Sequence, residues 1–164
     1  MSQFTDQDVI EFVYTEARIL DALQFEDWLD LFTEDCHYWM PLAYAQEDPR
    51  LHTSLMDEDK LLLRVRVERL KGQRTFSQQP RSRCHHLLQR PEIDTTHPWH
   101  QPAQGQYVVR TAFHYTEVRG DEQNIYAGWT THELRVEEGS LRIRRKRVDL
   151  LNRESALGNI QLFM

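Results

Sequence analysis

The chain has 164 residues, 40% of them hydrophobic and 28% charged, with a formal net charge of −6. Its length suits one domain, and six Gly, six Pro and no apolar run near the roughly 20 residues of a bilayer span exclude a disordered, fibrous or helical membrane-spanning chain. The acidic balance excludes a general nucleic-acid binder, which needs a basic face to displace counterions.

The charge is unevenly spread. Residues 1–35 hold ten acids and one base, Arg18, whereas Arg142, Arg144, Arg145, Lys146 and Arg147 form a basic run. This pattern reads either as an acidic helical face and a solvated basic strand, or as opposite patches that meet within the chain or between subunits. Cys36 and Cys84 cannot build a disulfide framework and suit a reduced, cytoplasmic protein. Residues 1–8 carry acids and no basic, apolar leader, so no secretory signal is expected.

In chain order, Val9, Phe12, Val13, Ala17, Leu20 and Leu23 recur at helical spacing, with Thr5 as the N-cap and Asp6 and Asp8 in the first turn. A short second helix places Phe25, Trp28, Leu29 and Phe32 on one face. The aromatic stretch 36–42 then predicts a strand, and Pro41 puts it at a sheet edge. Residues 43–53 read as a loop with its turn at Asp48-Pro49. Residues 57–70 read as a third helix that buries Leu61, Leu62, Val65 and Leu70 and is capped at Lys71-Gly72. An irregular connection over 76–81 follows.

The rest is strand. Residues 83–88 form one, and 91–106, with Pro91, Pro98 and Pro102, form a long surface loop. Residues 107–119, 124–136 and 141–151 form an antiparallel meander with turns at Gly120-Asp121 and Glu138-Gly139. In the last strand Leu141 and Ile143 share one parity, Val148 and Leu150 the other. A regular ladder cannot bury both sets, so a bulge is expected between Arg144 and Arg147. Helices first and sheet second predict an α+β fold over residues 1–164, with N-terminal helices packed on a strongly curved antiparallel sheet and a cone-like space between them.

Several constellations invite chemistry. Asp94, His97 and His100 match the two-His, one-carboxylate set of non-haem iron oxygenases, but Pro98 opposes the regular spacing such ligands use. Cys84-His85-His86 contains a Cys-x-His, half of a Rieske site. The other half needs a Cys-x-x-His, and Cys36 to Trp39 has no His at the needed place. Cys36 and His37 point to opposite faces of a strand, so they form no dyad. No Gly-x-Ser-x-Gly or phosphate loop occurs. His37, His114, His132, Tyr14 and Glu117 are the residues that would serve acid–base chemistry in a cone-shaped pocket.

The ordered motifs resemble those of the small (beta) subunits of aromatic-ring-hydroxylating dioxygenases, the Rieske non-haem iron oxygenases. They are Glu16-Ala17-Arg18 with Leu20-Asp21, the run from Phe25 through Asp35, His37-Tyr38-Trp39-Met40-Pro41-Leu42, Asp57-Glu58-Asp59-Lys60, Leu63 through Leu70, Pro80-Arg81-Ser82-Arg83 with His86, the basic strand, and Asn159 through Phe163. The resemblance implies a cone fold like that of nuclear transport factor 2 and scytalone dehydratase. It implies a large (alpha) subunit that holds the Rieske iron–sulfur cluster and the mononuclear iron, and a homotrimer of small subunits within a hetero-hexamer. No catalytic, cofactor-binding or metal residue is expected in this chain, nor any nucleic-acid or membrane partner. The competing expectation is a stand-alone dehydratase or isomerase of the same fold with a pocket His and acid. An open pocket would mark the second, and one filled by Trp28, Trp39 and Phe side chains the first.

Overall fold

In a computed structural model, which describes residues 4–41, 54–75, 82–151 and 162–164, Thr5 opens the first helix as its residue type predicts. Thr5 Oγ1 accepts the Asp8 amide at 3.2 Å and Asp8 Oδ2 accepts the Thr5 amide at 2.8 Å, a reciprocal cap that satisfies two orphan N–H groups. Helix α1 (Asp6–Asp21) buries Val9, Ile10, Val13, Ala17 and Leu20, and Glu16 with them. Helix α2 (Phe25–Asp30) turns Phe25, Trp28 and Leu29 inward. Phe32 already belongs to strand β1 (Phe32–Pro41), yet its ring still meets Trp28 edge-on at 4.7 Å.

β1 ends at Pro41 but is not an edge. β2 (Ser54–Glu58) lies antiparallel on one side of it, and the last strand lies parallel on the other. Asp57 and Glu58, expected to start the third helix, are held in β2 by pairing with Trp39 and Tyr38. Neighbouring strands here override local propensity. The expected loop over 43–53 and the connection over 76–81 lie outside the described residues.

Helix α3 (Lys60–Thr75) runs past Lys71-Gly72, so Gly72 is no C-cap. Its buried face also differs from expectation: Leu63 and Val67 point inward, while Leu61, Leu62 and Val65 are 64%, 47% and 41% exposed. Lys60 fixes this rotation. Its Nζ donates to the carbonyls of Leu29 (2.8 Å) and Phe32 (2.9 Å), the first at the carbonyl-rich end of α2, which favours a cation. Lys60, Leu63 and Val67 recur at three and four residues, so one helix face carries all three inward.

The remaining strands are β3 (Ser82–Leu88), β4 (Glu92–Ile93), β5 (Gln106–Arg119), β6 (Glu122–Glu137) and β7 (Ser140–Leu150), with a 3-10 turn at Pro102–Gln104. The sheet order is β2-β1-β7-β6-β5-β3, with β4 also on β5. The sheet is therefore mixed rather than antiparallel throughout, because β1 joins β7 in parallel. A parallel neighbour needs a long crossover, which a reading from short turns does not reveal. At the β6–β7 turn Glu138 and Gly139 have φ of 51° and 78°, as a two-residue type I′ hairpin requires. At Gly128 a Cβ would lie 2.1 Å from the Asp149 carbonyl oxygen, so β6 and β7 approach closely there.

The expected bulge sits at Arg144. The register steps from Leu134↔Ile143 to Glu133↔Arg145, leaving Arg144 without an opposite residue. The inward parity then passes from Leu141 and Ile143 to Lys146, Val148 and Leu150, all buried. The three helices pack on this inner face, and one apolar cluster joins them to the sheet and to Leu162, Phe163 and Met164.

Candidate functional site

The inner face of the cone brings three ionisable side chains together. Glu16 projects from α1, His132 from β6 and Lys146 from β7. Glu16 Oε1 accepts His132 Nε2–H at 2.8 Å, and Glu16 Oε2 accepts Lys146 Nζ at 2.9 Å and Trp28 Nε1 at 3.0 Å. The side chains are 3%, 1% and 2% exposed. Burial alone would push the Glu16 carboxyl up; the Lys146 ammonium and His132 outweigh it and hold the carboxyl well below its ordinary 4.5. His132 turns Nε2 to the carboxylate, and its Nδ1 is buried without a hydrogen-bond partner among the described groups. A carboxylate so stabilised is a poor base, and Lys146 is locked onto it. The trio is an anchor between helix and sheet.

The space where an open cone would take a ligand is occupied by the segment 162–164. Phe163 stacks on Trp28 with ring centroids 4.2 Å apart and a 27° interplanar angle, and meets Phe25 and Tyr38 edge-on. The Leu162 amide donates to Glu117 Oε1 at 2.9 Å, and the Met164 amide to Tyr38 Oη at 3.2 Å. Glu117 also accepts Tyr115 Oη at 2.8 Å. Burial and that carboxylate push the Tyr115 hydroxyl up, and burial pushes the Tyr38 hydroxyl up, so neither phenol is poised to give up a proton. Trp39, expected inside, is buried on the opposite face, where the guanidinium groups of Arg145 and Arg147 lie 4.9 and 4.6 Å from its ring centre. Strand alternation puts it there, because its neighbour Tyr38 faces inward.

The acid–base candidates thus do not converge. His132 and Glu117 are buried in the core, Tyr14 is half-buried and His114 exposed. His37 pairs at the surface with Asp57 at 3.0 Å, while Cys36 beside it is buried and its thiol pushed up to about 11 by burial.

On the outer face of the sheet an open basin of about 650 Å³ is lined by residues that include Asp94, His97, Arg110, Glu133, Arg147 and Asp149. Much of its charge is matched. Arg144 and Arg145 reach Glu133 Oε2 at 3.1 and 3.5 Å, and Arg147 holds Asp149 through Nε at 2.9 Å. With Lys146 on Glu16, most of the basic run meets acids of its own chain.

The loop carrying Asp94, His97 and His100 spends the donor atoms a metal would need. Asp94 Oδ1 accepts the Thr96 amide and hydroxyl at 3.1 and 2.8 Å. His97 Nδ1 accepts the Trp99 amide at 3.1 Å and His100 Nδ1 accepts the Val108 amide at 3.0 Å. A Rieske cluster does not fit the cysteines either. Cys84 and His86 share one face of β3, but Cys36 has Trp39 where its half-site would need a His. Cys84 Sγ lies 3.5 Å from the Leu20 carbonyl oxygen and 3.9 Å from Asp21 Oδ1, and burial, with Asp21 beside it, pushes its thiol up to about 12.

Glu16 and Lys146 are the residues of the inner trio that sequence reasoning missed. Both left a signal: Glu16 interrupts the apolar stripe of α1 at a core position, and Lys146 shares the parity of Val148 and Leu150 beyond the bulge.

A family model described as ring hydroxylating beta subunit matches residues 15–155. The small oxygenase component of the p-cumate 2,3-dioxygenase system of Pseudomonas putida is 33% identical over 145 residues, 87% of this chain and 77% of that protein. The 2-halobenzoate 1,2-dioxygenase small subunit of Burkholderia cepacia is 30% identical over 150 residues, 88% of this chain and 87% of that one. Among solved structures, the beta subunit of benzoate 1,2-dioxygenase from Burkholderia mallei superposes with a TM-score of 0.77 at 25% identity, covering 99% of this chain and 100% of that one. A scytalone dehydratase-like protein of Novosphingobium aromaticivorans shares the cone fold with a TM-score of 0.60 at 16% identity, covering 90% and 88%. These relatives favour a dioxygenase subunit over a stand-alone dehydratase or isomerase. The chain belongs to the beta-subunit family of ring-hydroxylating dioxygenases.

Proposed function

We propose that this chain is a structural subunit with no active site of its own, which supports a large (alpha) subunit in a dioxygenase that adds dioxygen to an aromatic compound during its catabolism. The observation that carries this reading is the filled cone. Phe163 lies on Trp28, and Glu16, the best-placed acid, is tied to Lys146, His132 and Trp28. A relative named as a small oxygenase component supports a larger partner chain. On the resemblance, that partner carries the Rieske cluster and the mononuclear iron and chooses the aromatic ring. Purified from its native cells, the chain is expected to co-elute with a larger, red-brown, iron-containing chain. Elution alone under mild conditions would overturn the reading.

Residues 1–164 act in this proposal as one cone-like unit, a homotrimer within a hetero-hexamer, in the cytoplasm. Both cysteines are unbridged, which suits that compartment. A closed ring of three needs a head-to-tail contact. Since the basic strand is countered largely by its own chain, apolar and aromatic contacts would supply the affinity. Light scattering of the chain at micromolar concentration is expected to give three times the monomer mass; a strict monomer counts against the trimer. The isolated chain is also expected to be colourless and to carry no stoichiometric iron by elemental analysis. Stoichiometric iron or zinc lost on changing His97 and His100 would mean that the outer loop is a metal site after all.

A further inference from the structure

We propose that Asp21, Cys84 and His86 form a zinc site at the seam between α1 and β3. This departs from the expectation that the chain holds no metal ligand, and it uses the Cys-x-His that the subunit role leaves without a task. Cys84 and His86 stand two apart on one face of a strand, so both side chains point at α1. Asp21 is the last residue of α1, at the end of the helix dipole that favours a cation. Oxygen, sulfur and nitrogen donors from these residues lie within 4.8 Å of one another. Sulfur, imidazole and carboxylate together are a zinc ligand set.

The spacing can be compared with a tetrahedron. Bond lengths of about 2.3 Å for Zn–S and about 2.1 Å for Zn–O and Zn–N imply S···O edges of about 3.6 Å and N···O edges of about 3.4 Å. Cys84 Sγ lies 3.9 Å from Asp21 Oδ1 and 3.5 Å from the Leu20 carbonyl oxygen, so both sulfur edges are already near that value. The Leu20 oxygen or a water supplies the fourth ligand. His86 Nδ1 to Asp21 Oδ1 is 2.6 Å, a hydrogen bond that opens by about 0.8 Å when the metal replaces its proton. The His86 amide also donates to both Asp21 oxygens at 3.1 Å, which orients the carboxylate. The Tyr115 ring, 4.8 Å away between centroids, braces the imidazole. The His86 side chain is 4% exposed and that of Asp21 27%, so solvent reaches the seam from the Asp21 side.

Protons balance as follows. Zinc displaces the Cys84 thiol proton to solvent and forms a Zn–S bond. His86 binds through its Nδ1 lone pair, so the Nδ1 proton shared with Asp21 passes to solvent or to Nε2, which is buried with no hydrogen-bond partner among the described groups. At least the Cys84 proton is released per metal bound.

The test titrates the full chain, stripped with a chelator, first with cobalt(II) and then with zinc. A thiolate-to-cobalt charge-transfer band is expected to saturate at one equivalent and to vanish as zinc displaces cobalt, with at least one proton released into weak buffer per cobalt bound and none as zinc replaces it. Cys84→Ser is expected to abolish the band, and Cys36→Ser to leave it intact. Should Cys84→Ser fail to fold, Asp21→Asn serves instead, weakening zinc binding by at least about 100-fold, beyond the usual loss of an outer-shell partner. No band at one equivalent, a band that survives Cys84→Ser, or unchanged zinc affinity in folded Asp21→Asn overturns the proposal.

Discussion

Trp28→Ala is expected to destabilise the chain by about 3–5 kcal/mol, the range for a large aromatic truncated in a closed core. Trp28 has no exposed surface. Its ring meets Phe32 at 4.7 Å, Tyr38 at 6.1 Å and Phe163 at 4.2 Å, so the cavity left behind is walled by rings that cannot all close in. The substitution also removes the indole N–H that donates to Glu16. Trp129→Ala is the matching control. That ring is only half-buried on the outer face, under Arg110, and its loss should cost about 1 kcal/mol, a cation–π contact and partial burial. Urea unfolding with an unchanged m-value measures both. A loss under about 1 kcal/mol for Trp28→Ala would show that the cone can collapse around the gap.

The core that Trp28 anchors was legible where a pattern had one solution. The capping residues of α1, the meander and the bulge at Arg144 follow from residue types and parity, because a strand has only two faces and the wrong one exposes Leu or Val. The pattern failed where it had two solutions. In α3, Leu61, Leu62 and Val65 make as good a stripe as Leu63 and Val67, and only the carbonyls offered to Lys60 by α2 and β1 decide between them. The parallel seat of β1 beside β7 was hidden for a related reason, since the two strands lie more than a hundred residues apart and no turn joins them. The inner trio was half legible. His132 alternates with Leu134 and so reads as inward, but Lys146 stands among four arginines, and a charged run reads as solvated until the bulge is applied to it.

Glu16→Ala is expected to cost about 3–5 kcal/mol, because it leaves the Lys146 ammonium buried without its carboxylate. The cost belongs to the unpaired charge rather than to the pair. Glu16→Leu combined with Lys146→Met should therefore be more stable than either single change, while His132 and Trp28 still lack their acceptor. Glu16→Gln separates charge from shape, since its carbonyl can still accept from one of the two N–H donors. The pH dependence supplies an independent readout. The Glu16 carboxyl is held below its ordinary 4.5 in the fold, so beneath that value the unfolded chain binds the proton that the folded chain refuses. The stabilisation is therefore complete above about pH 4.5 and drains away as pH falls toward the folded value. Asp35, lowered to about 2 chiefly by its bond to Arg135, adds acid sensitivity of its own at 60% side-chain exposure, so the comparison must be between slopes. In Glu16→Gln the loss of stability between about pH 5 and 3 should be shallower than in the parent chain by the share of one proton. Equal slopes in the two proteins would mean that Glu16 does not carry a buried charge.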